Sequence, residues 1–220
     1  IDACLVGSEM CIRDRINPEQ IELRYFGVLT KIFNVGRFAS QFDFDADLDE
    51  IPDNLENEDK WILAEFSDLL GKAKKGYSNL DIYTAAQGIK TFSTGIFASH
   101  WLEMAKTRLY NEDASATWTL HRIFRDLLSI LSPICPFFTH HLSTTLYEKS
   151  SVEVDVFPES PITDTQSWTE KTDDLVEFNS VVWKAKKDAG VSLAAPISGH
   201  NVPSSLKEIE AALVAMHKLE

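Results

Sequence analysis

The sequence is poor in cysteine and has no long apolar run. Its three cysteines include no CxxC pair, so the pattern indicates neither a zinc site nor a disulfide framework. No apolar stretch approaches the roughly 20 residues that a membrane-spanning helix needs, and the N-terminus lacks the basic and then apolar layout of a signal peptide. We therefore expect a reduced, cytoplasmic protein that has neither a membrane partner nor a metal.

Motifs of common active sites are also missing from the 220 residues. The sequence contains no glycine-rich phosphate loop, no GxSxG and no HExxH. His140 and His141 have no third ligand at a suitable spacing, and the carboxylates after Phe42 lack the glycine and final glutamate of a calcium-binding loop. We expect no catalytic residue within this chain.

Positive charge is scarce, because 21 lysines and arginines face 34 acidic residues and give a net charge of −13. That sum alone disfavours DNA or RNA as a partner, since phosphate binding needs a positive local potential. Nine of the acidic residues, however, lie between Asp43 and Asp59. We expect the segment of residues 42–58 to be an extended, solvated linker, which leaves the remaining surface closer to charge balance.

The strongest pattern that is present lies in residues 117–142. Apolar residues recur there at the three- and four-residue spacing of a buried helical stripe. Pro133 should end or kink that helix, because it pushes Ser132 out of the α region, and an aromatic helix follows from Phe137. The polar residues of the first helix fall on the opposite face, which we expect to point to solvent: Thr119, Arg122, Arg125, Asp126 and Ser129.

Similar patterns predict a mainly α protein, with a helical bundle over residues 17–150. Gly76 is expected to take the left-handed conformation that ends the second helix, and Asn79 or Asp81 is expected to cap the third. Besides the helix of residues 117–131, helices are predicted over residues 17–40, 57–75, 80–110 and 137–149.

The two ends of the chain differ from this bundle. Residues 1–16 are expected to be a non-native or disordered tail, because CLVGSEMCIRDR closely resembles a translated sequencing-adapter remnant. Residues 151–172 are predicted to hold a short edge strand and a linker. Residues 173–220 are predicted to form a helix, a β-like run over residues 191–202 and a last helix with the capping pattern S-L-K-E. Because nothing closes this unit, we expect it to be a truncated α/β module.

Five strings, in the right order, resemble the C-terminal region of class I aminoacyl-tRNA synthetases, and the valyl group most closely. One of them is similar to the "N-x-x-R-F" that opens the family's anticodon-binding domain. His100 stands where the family usually has Asp, and His140-His141 replace an acidic pair, so isoleucyl and leucyl enzymes remain alternatives. The strings are NVGRF at 34–38, DKWIL at 59–63, FASHWLEMAKTRLY at 97–110, LSPICPFF at 131–138 and WKAKKDAGVSLAAPI at 183–197.

The resemblance implies that this chain binds tRNA, as the anticodon-binding bundle of a monomeric synthetase. The family's "HIGH" and "KMSKS" signatures do not occur here, so the resemblance assigns ATP and magnesium to a catalytic domain outside the chain. The alternative from another class is a non-enzymatic helical protein-interaction module, which the net charge favours. The residues expected to contact tRNA are Arg24, Asn34, Arg37, Phe38, Lys106, Arg108, Arg122 and Arg125.

Overall fold

The computed structural model describes residues 26–44, 47–147 and 156–220. Within these ranges the chain folds into a helical bundle, which confirms the predicted fold class. The tail 1–16, the predicted helix start at Asn17 and residues 151–155 of the edge strand lie outside the described residues. The helices are α1 (Gly27–Ala39), α2 (Asn57–Ser78), α3 (Ile82–Thr91), a π-helical segment (Phe92–Trp101), α4 (Leu102–Tyr110), α5 (Ala114–Leu131), α6 (Pro136–Tyr147), α7 (Gln166–Thr169), α8 (Thr172–Asp188), a 3-10 turn (Ser204–Ile209) and α9 (Glu210–His217).

Helix α5 is the centre of the bundle and packs against α1, α2, α3, α4 and α6. The Asp113 carboxylate accepts a hydrogen bond from the Ala116 N–H at 2.8 Å and caps the N-terminus of α5. The helix ends at Leu131, immediately before the predicted break at Ser132-Pro133. Its apolar stripe, including Phe124 and Leu128, is fully buried, so the amphipathic pattern identified the core helix correctly.

The prediction that the polar face of α5 points to solvent is wrong. Thr119, Arg122 and Asp126 are all buried. Arg122 Nη1 donates to the Leu48 carbonyl at 2.7 Å, and its Nη2 donates to the Glu159 carbonyl at 3.3 Å. Two loop segments therefore cover a helix face that its own sequence marks as a surface.

The acidic segment after Phe42 is not the extended, solvated linker that its charge predicts. Leu48 and Leu55 are buried, and Trp118 Nε1 donates to the Asp47 carbonyl at 3.2 Å. Burial of these two leucines holds the segment against α5, while most of its carboxylates remain at the surface.

The turn between α2 and α3 differs from the prediction at Gly76. Helix α2 continues to Ser78, and Leu80 takes the left-handed conformation instead, with φ 58°. Gly76 is needed for close packing, because a Cβ there would lie 3.0 Å from the Asp81 carbonyl oxygen. Asp81 caps α3 by accepting from the Thr84 N–H at 3.1 Å, as one of the two predicted caps.

Helix α3, the π-helical segment and α4 follow one another without a break over residues 82–110. Phe97 stacks on Phe92 and on Trp101, with ring centroids 5.8 and 5.3 Å apart. Lys31 of α1 donates to the Thr94 carbonyl at 2.7 Å. A carbonyl of the widened π turn is therefore satisfied by a lysine from a neighbouring helix.

Residues 156–220 pack onto the bundle, with Leu175, Val182 and Leu213 in the same core cluster as α2 and α5. The β-like run over residues 191–202 forms no strand, so this part of the α/β prediction is wrong. Its pairing is limited to one isolated parallel bridge between Ile197 and Leu219. The S-L-K-E stretch begins a 3-10 turn without a side-chain cap, so the predicted capping box is also wrong.

A buried polar chain joins the C-terminal helices to the bundle. The Asn179 side-chain amide of α8 lies 2.9 Å from His100 Nδ1 in the π-helical segment. Lys186 is fully buried, and its Nζ donates to the carbonyls of Leu193 and His217 at 2.8 Å. None of the helices in the described ranges is long and apolar enough to cross a membrane.

Candidate nucleic-acid interface

The outer face of α1 brings three of the predicted residues together. Helix α1 buries Ile32, Val35, Gly36 and Ala39 against the bundle. The 3.6-residue period of the helix then leaves Asn34 and Arg37 exposed, with Phe38 half-buried beside them. Among the residues that the structure describes, no acidic side chain pairs with the Arg37 guanidinium. Its charge is therefore available to a partner.

An aromatic cluster lies next to Arg37, at the C-terminal end of α1. The Phe38 ring meets the edges of Phe42 and Tyr110, with centroids 4.9 and 6.1 Å apart. Phe42 and Tyr110 also touch, at 5.5 Å, and Tyr110 is 63% exposed. A cleft of about 640 Å³ opens beside this cluster, and its lining includes Phe42, Phe44, Tyr110, Thr117 and Trp118.

Arg108, another residue predicted to contact tRNA, is held in a network of carboxylates. Its guanidinium donates to Glu58 at 2.8 Å, to Asp59 at 2.7 Å and to Asp113 at 2.8 Å. Asp59 is fully buried and also accepts from Trp101 Nε1 at 3.0 Å. Arg108 therefore ties α4 to α2 inside the bundle.

The pKa values in this network follow from burial and from the partners. Burial lowers the pKa of the Arg108 guanidinium, but the hydrogen bond and charge of Asp59 outweigh burial and raise it above its usual range. Burial raises the pKa of the Glu58 carboxyl, and the nearby Arg108 charge opposes that rise. Removal of any one of these groups would leave a buried charge without its partner, so each charge in the network is stabilised by the others.

Arg122 and Arg125 form a second network on α5. The Asp126 carboxylate accepts from Arg122 Nε at 2.7 Å and from Arg125 Nε at 3.0 Å. Arg125 Nη2 also donates to Asp49 at 2.7 Å. Burial lowers the pKa of Arg125, but the charges and hydrogen bonds of Asp126 and Asp49 together outweigh burial, and the net shift is upward. Both guanidinium groups are therefore engaged by carboxylates of the same chain.

Lys106 and Arg24 complete the predicted set. Lys106 Nζ lies 2.5 Å from Glu103, one turn away on α4, and both side chains are 42% exposed. Arg24 lies outside the described residues. The structure thus groups Asn34, Arg37 and Phe38 on one face, while three of the other arginines lie in ion-pair networks.

Sequence reasoning missed the aromatic partners of Phe38. Phe42 was assigned to the acidic linker, and Tyr110 only marked the end of a helix. The available signal was their position, since both stand at helix ends where a large side chain has few neighbours to cover it. Pairing of two residues that are 68 positions apart in the sequence could not be inferred from local spacing.

Known proteins resemble this chain over most of its length. The family described as "Anticodon-binding domain of tRNA ligase" matches residues 59–200. The chain is 35% identical over 203 residues to the valine–tRNA ligase of Aeropyrum pernix, covering 86% of this chain and 24% of that protein. It is 34% identical over 176 residues to that of Saccharolobus solfataricus (78% and 20%) and 28% identical over 213 residues to that of Nanoarchaeum equitans (94% and 26%). The chain spans about a quarter of the length of these relatives.

Proposed function

Since the chain belongs to the family of tRNA ligases that carry this anticodon-binding domain, we propose that it binds the anticodon arm of a tRNA. We further propose that it is part of a valine–tRNA ligase, which joins valine to its tRNA with ATP. The identities of 28 to 35% to three valine–tRNA ligases support this choice over the isoleucine and leucine enzymes.

The main support for the proposal is the outer face of α1, which groups Asn34, Arg37 and Phe38. An unpaired anticodon loop presents splayed bases, which proteins stack on aromatic rings and bind through their hydrogen-bonding edges. Arg37 supplies a guanidinium with no acidic partner among the described residues, and Asn34 supplies both a donor and an acceptor. The largely exposed Tyr110 ring, in contact with Phe38, offers a surface against which a base can pack.

The net charge of −13 is a sum over the whole chain and does not set the potential at the α1 face. Asp49, Glu58, Asp59, Asp113 and Asp126 all accept hydrogen bonds from arginines of the same chain. RNA binding depends on the local potential at the contact rather than on the total. The face around Arg37 therefore needs to be only locally positive.

In this proposal the chain's own residues bind and orient tRNA and perform no covalent step. We assign ATP and magnesium to the catalytic domain of the parent ligase, because the HIGH and KMSKS signatures of that domain do not occur in this chain. We place the parent ligase in the cytoplasm as a monomer, with tRNA rather than DNA or a membrane as its partner.

A binding measurement with the 220-residue chain tests the proposal. We expect a transcript of valine tRNA to bind more tightly than a transcript with an exchanged anticodon loop, measured by fluorescence anisotropy. Arg37→Ala should weaken binding by about 1–3 kcal/mol, whereas Lys187→Ala, at an exposed lysine of α8, should leave it nearly unchanged. Equal affinity for both transcripts, together with no effect of Arg37→Ala, would contradict the proposal.

A further inference from the structure

A second cleft lies away from α1, between the C-terminal half of α2 and the segment of residues 160–169. Its volume is about 640 Å³. Most of its lining residues have polar side chains, and they include two lysines, several hydroxyl groups and Asp68 as the acidic member. We call it the lysine cleft, and the residues that matter below are Ser67, Lys72, Lys75, Ser160, Thr163 and Thr165.

The walls of the lysine cleft are fixed by hydrogen bonds across the two segments. Ser160 Oγ lies 2.7 Å from Ser67 Oγ, whose hydroxyl donates to the Leu63 carbonyl at 2.7 Å. Trp61 Nε1 donates to Thr172 Oγ1 at 2.9 Å and ties the start of α8 to α2. The cleft is therefore already formed in the folded chain, and a ligand would not need to order it.

Several of its polar groups have no partner within the described residues. The Lys75 ammonium forms no ion pair there, and the hydroxyls of Thr163 and Thr165 make no hydrogen bond there. Lys72 pairs with Asp68 at 2.5 Å, but the two side chains are 63% and 48% exposed. An exposed pair of this kind contributes little, so Lys72 can turn to another anion.

These groups match the chemistry of a phosphodiester. Among the lining residues, two ammonium groups stand beside one carboxylate. Lysine binds phosphate as a point charge, and hydroxyl groups donate to phosphate and ribose oxygens. The lining contains no exposed aromatic ring on which a base could stack. Backbone contact rather than base reading is the chemistry that fits.

We propose that the lysine cleft binds a phosphodiester of the tRNA backbone, in addition to the contact at α1. This inference rests on the proposed function, because the RNA is the same molecule. Lys72 and Lys75 neutralise phosphate charge, and Thr163 and Thr165 donate hydrogen bonds to the backbone. The contact contributes affinity without sequence preference, whereas the α1 face contributes preference for the anticodon.

Salt titration of tRNA binding tests the lysine cleft. The Lys72→Gln/Lys75→Gln variant of the 220-residue chain should bind valine tRNA roughly tenfold more weakly. Its plot of log affinity against log salt should be shallower by about 1.4, which corresponds to two lost phosphate contacts. The loss should be equal for transcripts with the native and the exchanged anticodon loop. The matched control Lys187→Gln/Lys207→Gln removes the same charge elsewhere and should change affinity less than twofold.

The outcomes separate this inference from the proposed function. If the wild-type chain binds tRNA and Arg37→Ala weakens it, but the cleft variant has the wild-type affinity and salt slope, the cleft proposal is overturned alone. Equal losses in the cleft and control variants would also overturn it, because net charge would then be the cause. A folded wild-type chain that binds no tRNA overturns both. Circular dichroism should confirm that both double variants are folded, since their four lysines are exposed.

Discussion

Oδ1 of Asn179 lies 2.7 Å from Nε2 of His217, inside the joint between the C-terminal helices and the bundle. The amide nitrogen of the same Asn179 lies 2.9 Å from Nδ1 of His100. With Asn179 in this orientation, His217 donates, and its buried Nδ1 has no hydrogen-bond partner within the described residues. Both histidines are therefore held in the neutral form.

This joint should make the stability of the protein depend on pH. Burial, and then the charge of Lys186, lower the pKa of His217 to about 4. Burial and the Lys31 charge also lower the pKa of His100. Because the folded-state pKa is lowered, the unfolded chain binds the proton at a higher pH than the folded chain does. The contribution of the neutral histidine to the free energy of unfolding is therefore complete above pH 6.5 and is lost as the pH falls towards 4. The His217 contribution should fall by about 2 kcal/mol between pH 7.5 and pH 5, measured by urea unfolding.

The His217→Gln variant isolates this contribution. Glutamine can still donate to Asn179 but does not titrate, so the stability of the variant should fall less than that of the wild type between pH 7.5 and pH 5. Burial raises the pKa of Glu58 and Glu65, which opposes the histidine effect but is common to both proteins. His141→Gln, at an exposed histidine, is the control and should keep the wild-type slope. Identical slopes for His217→Gln and the wild type would rule out His217 as the source.

The Arg108 network should be far more important for folding than the nearby Lys106 pair. Arg108→Met leaves Glu58 and Asp59 without a counter-charge in the bundle, and removal of one partner from a buried ion pair costs about 3–5 kcal/mol. The measurement is the free energy of unfolding in urea at pH 7.5. A loss below about 1 kcal/mol would show that the carboxylates find other partners or water.

Lys106→Met provides the comparison on the same helix. Lys106 pairs with Glu103 on the surface of α4, and exposed pairs of this kind contribute about 0–1 kcal/mol. We therefore expect a change in unfolding free energy of less than about 1 kcal/mol. The two variants remove the same charge at positions two residues apart. The difference between their unfolding free energies therefore measures the effect of burial rather than that of charge.

Local sequence pattern predicted the elements whose cause is local. The end of α5 before Pro133 and the Asp81 cap of α3 both depend on residues within a few positions. Arg122 shows where such reasoning fails. Its position on α5 has the period of a solvent face, but a carbonyl 74 residues earlier, at Leu48, accepts its hydrogen bond. Helical periodicity cannot detect a loop that folds back over the helix.

The missing strand and the shifted turn both depend on tertiary contacts that the local sequence does not show. Residues 191–202 have β-like composition, but a strand needs a partner, and the pairing available among the described residues is the single bridge at Leu219. Gly76 was predicted to supply a left-handed cap, whereas its lack of a side chain serves the contact with Ala85, 3.2 Å from an added Cβ. In the candidate interface, spacing placed Asn34, Arg37 and Phe38 on one helix correctly but could not pair Phe38 with Tyr110.

Arg122 and Arg37 should separate stability from RNA binding. Arg122→Gln breaks a buried pair with Asp126 and a bond to the Leu48 carbonyl, so we expect a loss of about 3 kcal/mol in unfolding free energy. The fraction that remains folded should bind valine tRNA with unchanged affinity. Arg37→Ala should show the reverse, with reduced affinity and a stability change within about 0.5 kcal/mol. A loss of affinity in folded Arg122→Gln would place this arginine at the RNA contact.

Gly36 should be intolerant of a single methyl group, because α1 packs closely against α5 there. A Cβ at Gly36 would lie 3.0 Å from Cζ and 3.2 Å from Cε1 of Phe124. Phe124 is fully buried and cannot move away freely, so Gly36→Ala should destabilise the fold by about 1–3 kcal/mol despite the helix preference of alanine. Gly71→Ala on α2 is the matched control, since its Cβ would meet no atom within 4 Å, and it should stabilise by about 0.5–1 kcal/mol. Gly36→Ala should also weaken tRNA binding, because shifting α1 moves Arg37, one residue further on, whereas equal stabilisation by both variants would mean that α1 lies further from α5.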